Sequence, residues 1–393
     1  MKSGKEVFVT PASLRNYNNL SLNTLFFNKM TINTITQILE DFAPLGNAED
    51  FDNVGLLVGD SSAKLTGVLV TLDTLENVVD EAIAKKCNLI VSFHPIIFSG
   101  LKKITGKNYI ERVVIKAIQH NISIYSMHTA LDNVGHGVNG KICDVLGLIN
   151  TKILIPQKST LKKLTTYIPI ANVEEVKKAL FKAGAGEIGN YSNCSFSTEG
   201  KGTYKANDKA NPVKGKIGET HIEHEVMLTC VFGKNDAHTI IENLMNAHPY
   251  EEVAYDIQSL DNTNPYIGMG MIGDLPKEVS EREFLSDLKQ KMKTSVVRHS
   301  NLLKKPIKSV AVLGGSGSFA ISAAKAAGAD IFITADLKYH QFYEAENQLV
   351  LADIGHFETE QFTKNLLVDY LTKKIPNFAI HLSESITNPI NYF

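Results

Sequence analysis

The chain has 393 residues, 44% of them hydrophobic and 21% charged, a balance that excludes a disordered chain and implies a globular protein too long for one ordinary core. Lys+Arg 40 against Asp+Glu 42 leaves a formal net charge of -2, which argues against nucleic acid as a partner. No apolar run reaches the length of a transmembrane helix, and Cys87, Cys143, Cys194 and Cys230 form no close pairs, so a reducing, cytoplasmic location is expected.

Residues 1–29 are polar and rich in asparagine, without sustained periodicity, and are expected to form a poorly structured leader, with Met30 a candidate start. Ile32, Ile35, Ile38, Leu39 and Phe42 then recur at helical spacing, which predicts an amphipathic helix over 31–42. Asp52 and Asn53 follow in a loop, where they either turn the chain or belong to a site. A strand over 67–72, a helix over 75–85 and a strand over 89–92 make a βαβ unit, whose strands lie parallel. A helix over 109–120 and a strand over 122–127 extend it. His94 and Asp132 thus fall just beyond the C-terminal ends of strands, the edge at which open α/β sheets bind ligands.

The middle of the chain changes character. Residues 162–170 alternate as a strand, 173–183 have helical periodicity, and 185–218 are rich in Gly, Ser, Asn and Lys. A strand over 221–232, a helix over 236–247 and a short strand over 253–257 complete a ferredoxin-like succession. Beyond it, a strand over 309–313, a glycine turn at Gly314 to Gly317, a helix over 319–327 and a strand over 330–334 repeat the earlier plan. That last strand leads into Asp336, Lys338 and His340. A further strand over 349–354 delivers His356 and Glu360, four residues apart at a helix start, where both side chains reach one point. The expected architecture is α/β: two related three-layer α/β lobes facing each other, with an inserted ferredoxin-like α+β domain. The boundaries are a leader over 1–29, an N-terminal lobe over 30–155, the insert over 156–265 and a C-terminal lobe over 266–393 that completes the site.

His94, Asp132, His356 and Glu360 form a mixed nitrogen and oxygen set at equivalent positions, which favours Zn, Fe, Mn or Co over Ca. The glycine turn lacks the Lys and Ser/Thr of a P-loop, so tight packing is as good a reading as phosphate binding. Asp336, Lys338 and His340 offer an acid, a cation and a base for substrate phosphate or proton transfer, against the alternative of a solvated strand end. For His248-Pro249-Tyr250-Glu251-Glu252, with no convergent partner visible, a structural or interface role is favoured.

Together, Asp52-Asn53-Val54-Gly55, Ser92-Phe93-His94-Pro95, His128-Thr129-Ala130-Leu131-Asp132, Gly314-Gly315-Ser316-Gly317, Asp336-Leu337-Lys338-Tyr339-His340 and Gly355-His356-Phe357-Glu358-Thr359-Glu360 resemble the GTP cyclohydrolase 1 type 2 homolog family, in its longer bacterial subtype. The resemblance implies a dinuclear metal centre, a ring-shaped homohexamer and hydrolysis of GTP, another nucleotide or a phosphorylated small molecule by metal-activated water. The alternative is a non-catalytic, metal-binding regulatory or metallochaperone-like protein. Carried over, His94, Asp132 and Glu360 would hold one ion and His356 and Glu360 the other, with one or two divalent ions per subunit. Asp336, Lys338 and His340 would line the substrate side. Phe93 stands where the family has the first of two adjacent histidines, which removes a ligand from one ion.

Overall fold

The computed structural model describes residues 30–393, which three separate sheets organise, so the expected leader lies outside the described residues. The chain divides into two compact units, one built from residues 30–131 with His356–Phe393, the other from Asp132–Gly355.

In the first unit, α1 (Ile32–Phe42) buries Ile32, Ile35 and Leu39, as its spacing predicts. The sheet consists of β1 (Gly55–Val58), β2 (Val68–Thr71), β3 (Leu89–Ser92), β4 (Ser123–Ser126) and β15 (Ile380–Leu382), in the order β1-β4-β3-β2-β15. β2, β3, β4 and β15 are parallel, and β1 runs antiparallel on β4. Every residue of β2, β3 and β4 is buried, which explains their continuous apolar runs. The crossovers are α2 (Glu76–Ala84) and α3 (Tyr109–Gln119). Asn108 caps α3 by accepting from Glu111 N–H at 2.9 Å, while its amide donates to the Glu111 carboxylate at 3.0 Å.

β15 joins this sheet in register with β2, Ile380 opposite Val68 and Leu382 opposite Val70. The preceding helix, Thr363–Lys374, follows with it: Tyr370 stacks on Phe42 with ring centroids 4.1 Å apart. Beyond the strand, Glu81 gathers the chain end, accepting from Ser383 Oγ at 2.7 Å, Glu384 N–H at 2.9 Å and Ser385 Oγ at 2.8 Å. The segment from His356 onward therefore packs with the first sheet, whereas the sequence reading groups it with 266–355. Long-range strand addition of this kind leaves no local pattern to read.

The second unit holds the other two sheets. Its larger sheet has the order β11-β14-β13-β12-β10-β5, from β5 (Ile149–Pro156), β10 (Gly268–Ser280), β11 (Arg298–His299), β12 (Pro306–Ser316), β13 (Ile331–Ala335) and β14 (Val350–Asp353). β12, β13 and β14 are parallel and β11 is antiparallel on β14, the same arrangement as β2, β3, β4 and β1. The expected glycine turn is not a turn: β12 continues through Gly314 and Gly315 to Ser316. The ladder to β13 shifts register there, and Gly315 has a φ of 68°. Glycine inside a strand marks a bulge here.

The third sheet comprises β6 (Leu161–Pro169), β7 (Ser195–Lys205), β8 (Thr220–Gly233) and β9 (Tyr255–Leu260), in the antiparallel order β7-β8-β6-β9. The helices α5 (Val173–Lys182) and α6 (Ala237–Ala247) cover it, giving the ferredoxin-like βαββαβ order. β7 lies within the stretch that reads as irregular. It is an edge strand with nearly every side chain exposed, so no apolar alternation marks it.

Candidate metal centre

Three of the four expected ligands meet in the first unit. β3 runs into Phe93 and His94, whose backbone stays on the sheet edge through His94 N–H donating to the Leu72 carbonyl at 2.9 Å. His356 opens α7 (His356–Glu360) and Glu360 closes it. His94 Nε2 and Glu360 Oε2 are 3.1 Å apart, His356 Nε2 and Glu360 Oε2 3.2 Å, and the two Nε2 atoms 3.4 Å. A tetrahedral ion with ligand bonds of about 2.0–2.1 Å has ligand–ligand edges of roughly 3.3 Å. Glu360 Oε2 is buried and, despite both nearby rings, has no aligned hydrogen bond among the described residues. The three donor atoms thus lie 3.1–3.4 Å from one another, the spacing of ligands around one ion, and the set fits a divalent cation.

The Glu360 side chain is 4% exposed and that of His356 36%, so the triad is sealed at one corner and open at another. Burial works against a charged Glu360, but the His356 and His94 rings outweigh it and hold the carboxyl down to about 2. Burial likewise opposes a charged His94, and Asp73 and Glu360 push its ring up to about 10.

Two carboxylates support the centre: Asp73, which sequence reasoning did not assign, and Asp52, for which it left a turn and a site role open. Asp73, in the loop after β2, faces His94 Nδ1 through Oδ1 at 2.8 Å, and Thr387 Oγ1 donates to its Oδ2 at 2.8 Å. A carboxylate on Nδ1 keeps the proton there and leaves Nε2 as a ligand, the usual support of a metal-binding histidine. Its one sequence signal is position, since it lies beyond a parallel strand at the edge that carries His94. Asp52 repeats the device on His128: Oδ1 lies 2.8 Å from His128 Nδ1, and Oδ2 accepts from Thr129 N–H at 3.0 Å and Thr129 Oγ1 at 2.5 Å. Burial is outweighed by these partners, which hold the Asp52 carboxyl down to about 2. His128, at the start of α4 (His128–Asp132), has a φ of 24°, a conformation worth about 1–3 kcal/mol of strain that such anchoring sustains. Its ring centroid lies 5.5 Å from that of His94, and Phe93, fully buried, packs against both rings.

Asp132 ends α4 and belongs to the second unit; its carbonyl accepts from Asn139 Nδ2 at 3.2 Å. Among the described residues, His94, His356 and Glu360 place their ligand atoms within 4.8 Å of one another. Asp336, Lys338 and His340 also lie in the second unit, exposed beyond β13. Ser316 Oγ donates to Asp336, whose φ is 58°, and Leu337 N–H donates to Asp353 at 2.9 Å.

A family profile described as Duf34/NIF3 (NGG1p interacting factor 3) matches residues 30–389. The chain belongs to the Duf34/NIF3 family. A Bacillus subtilis relative named GTP cyclohydrolase 1 type 2 homolog is 38% identical, covering 91% of this chain and 97% of the relative. A Staphylococcus epidermidis relative of the same name is 35% identical over 92% of this chain and all of its own. Among solved structures, a Bacillus cereus protein related to NIF3 superposes with a TM-score of 0.80 at 35% identity, covering 93% of this chain and 100% of that one. The mixed α/β fold is that of its Duf34/NIF3 relatives. No helix among the described residues is long and apolar enough to cross a membrane.

Proposed function

We propose that the protein is a metal-dependent hydrolase acting on GTP, another nucleotide or a phosphorylated small molecule. The carrying observation is the triangle of His94 Nε2, His356 Nε2 and Glu360 Oε2. Two histidines and one glutamate are a ligand set used by hydrolytic metal sites that keep a position open. Zn, Fe, Mn or Co held there would supply Lewis acidity toward water or a phosphoryl oxygen. Asp73 keeps the proton of His94 on Nδ1, and Glu360 contributes buried negative charge. His128, its Nδ1 engaged by Asp52, retains Nε2 to hold or move a proton.

The nucleotide assignment draws on the names of the relatives. One or two ions per subunit, a homohexamer, an inserted ferredoxin-like domain and a substrate role for Asp336, Lys338 and His340 complete the reading. The last rests on their position beyond β13, and the hexamer on family resemblance. Metal analysis of purified protein tests the centre: stoichiometric metal should fall on Glu360→Ala and on His94→Ala, and unchanged content in both refutes it. Screening the loaded protein against GTP and a panel of phosphate esters tests the activity. Turnover abolished by Glu360→Ala is expected, whereas binding without turnover would make the protein a metal-binding regulator instead.

A further inference from the structure

The ferredoxin-like sheet carries a feature that the metal centre does not use. The connection between β7 and β8 folds back on itself and on a neighbouring loop. Gly218 N–H donates to the Ala206 carbonyl at 2.9 Å, Tyr204 Oη to the Lys214 carbonyl at 2.9 Å, and Asn211 N–H to Glu251 at 2.7 Å. This connection forms one wall of a cavity of about 620 Å³, a volume suited to a small organic ligand. Tyr167, Tyr204, Val213, Met227, Tyr250 and Glu225 are among its lining residues.

The His248-Pro249-Tyr250-Glu251-Glu252 motif contributes another wall. His248 is 7% exposed, donates from Nε2 to the Tyr167 carbonyl at 3.0 Å and accepts Tyr250 N–H on Nδ1 at 3.2 Å. Both nitrogens are committed, so the ring is a neutral strut that fixes Tyr250. Tyr250 Oη in turn donates to Glu225 Oε1 at 2.9 Å, and the Tyr204 and Tyr250 rings meet at 65° with centroids 6.1 Å apart.

Glu225 is the decisive group. It is 8% exposed, and a carboxylate withdrawn this far from water calls for a positive partner. Among the described residues no ion pair includes Glu225; Lys201, the one lysine of the lining, is exposed, while Glu199, Glu251 and Glu252 add further negative charge. Tyrosine faces and a buried carboxylate in an apolar cleft favour a cation and disfavour an anion.

We infer that this cavity binds a small organic cation, an amine or quaternary ammonium on an apolar body, with its charge against Glu225 and the tyrosine rings. Titration calorimetry on the full chain with phenethylammonium, 2-phenylethanol and 3-phenylpropionate separates charge from apolar burial, because the three share one phenylalkyl body. The ammonium should bind at least roughly tenfold more tightly than the alcohol, as a charged hydrogen bond plus a cation–π contact requires, and the carboxylate should be weakest.

Glu225→Gln should erase that preference. Gly202→Ala is the second variant: its Cβ would lie 2.0 Å from Glu225 Oε2, so the flexible carboxylate must move while the strand backbone remains. It should erase the preference too, with metal content at the first-unit centre unchanged. Equal or tighter binding of the alcohol, tighter binding of the carboxylate, or no heat with any of the three would overturn the inference. So would a change of oligomeric state on Glu225→Gln without amine binding, which would make the cavity wall a contact between copies.

Discussion

Asp73→Asn is the sharpest perturbation of the metal centre, because it removes one charge and leaves the shape. Asp73 Oδ1 is 2.8 Å from His94 Nδ1, and its Oδ2 accepts from Thr387 Oγ1 at 2.8 Å. An asparagine can keep its carbonyl on His94 and turn its amide to the threonine hydroxyl, so both contacts survive and only the anion is lost. A supporting carboxylate of this kind is worth about 10–100-fold in metal affinity, or about 1.4–2.8 kcal/mol. Competition with a chromophoric chelator on the purified protein reads the affinity directly. Asp73→Asn should weaken zinc by that factor with an unchanged urea midpoint, while Glu360→Ala should weaken it much further. Equal zinc affinity in wild type and Asp73→Asn, alongside a large loss in Glu360→Ala, would refute the claim that Asp73 sets the ligand state of His94.

Three more expectations follow from buried groups. Burial opposes ionisation of Glu81, but Glu384 N–H, Lys85, Ser383 and Ser385 hold it at about 2 against an ordinary 4.5. That depression contributes about 3 kcal/mol, present above pH 4.5 and lost as pH falls toward 2; Glu81→Gln should flatten this part of the acid limb in urea titrations between pH 2 and 5. Asp52→Ala strips the partners of His128 Nδ1 and both Thr129 donors, and should cost about 3–5 kcal/mol in urea unfolding. Phe93→Ala opens space beneath the His94 and His128 rings and should also cost about 3–5 kcal/mol, with faster exchange of the two imidazoles by NMR.

The parallel cores were legible because β2, β3 and β13 are buried on all positions and write continuous apolar runs into the chain. His94, His356 and Glu360 were legible for the same reason, as each sits where such a run stops. Asp73 sits at an equivalent stop and went unassigned, since aspartate after a strand is also ordinary turn chemistry. β7 was invisible because an exposed edge needs no apolar face, and the Gly314-Gly315 pair misled because a bulge and a turn ask for the same residue. Phe93 was visible as a departure, but its packing against two imidazoles is a fact of three dimensions alone.

The place of β15 in the first sheet has a consequence for how the protein is made. Residues 30–131 supply four strands of that sheet, yet His356, Glu360 and the closing strand are made only after all of Asp132–Gly355 has been synthesised. At about 5–20 residues per second, that interval lasts on the order of tens of seconds. Throughout it, the nascent first unit carries His94 and Asp73 on an unfinished sheet whose β2 edge has no neighbour, and a cation cannot find its triad until His356 and Glu360 have been made.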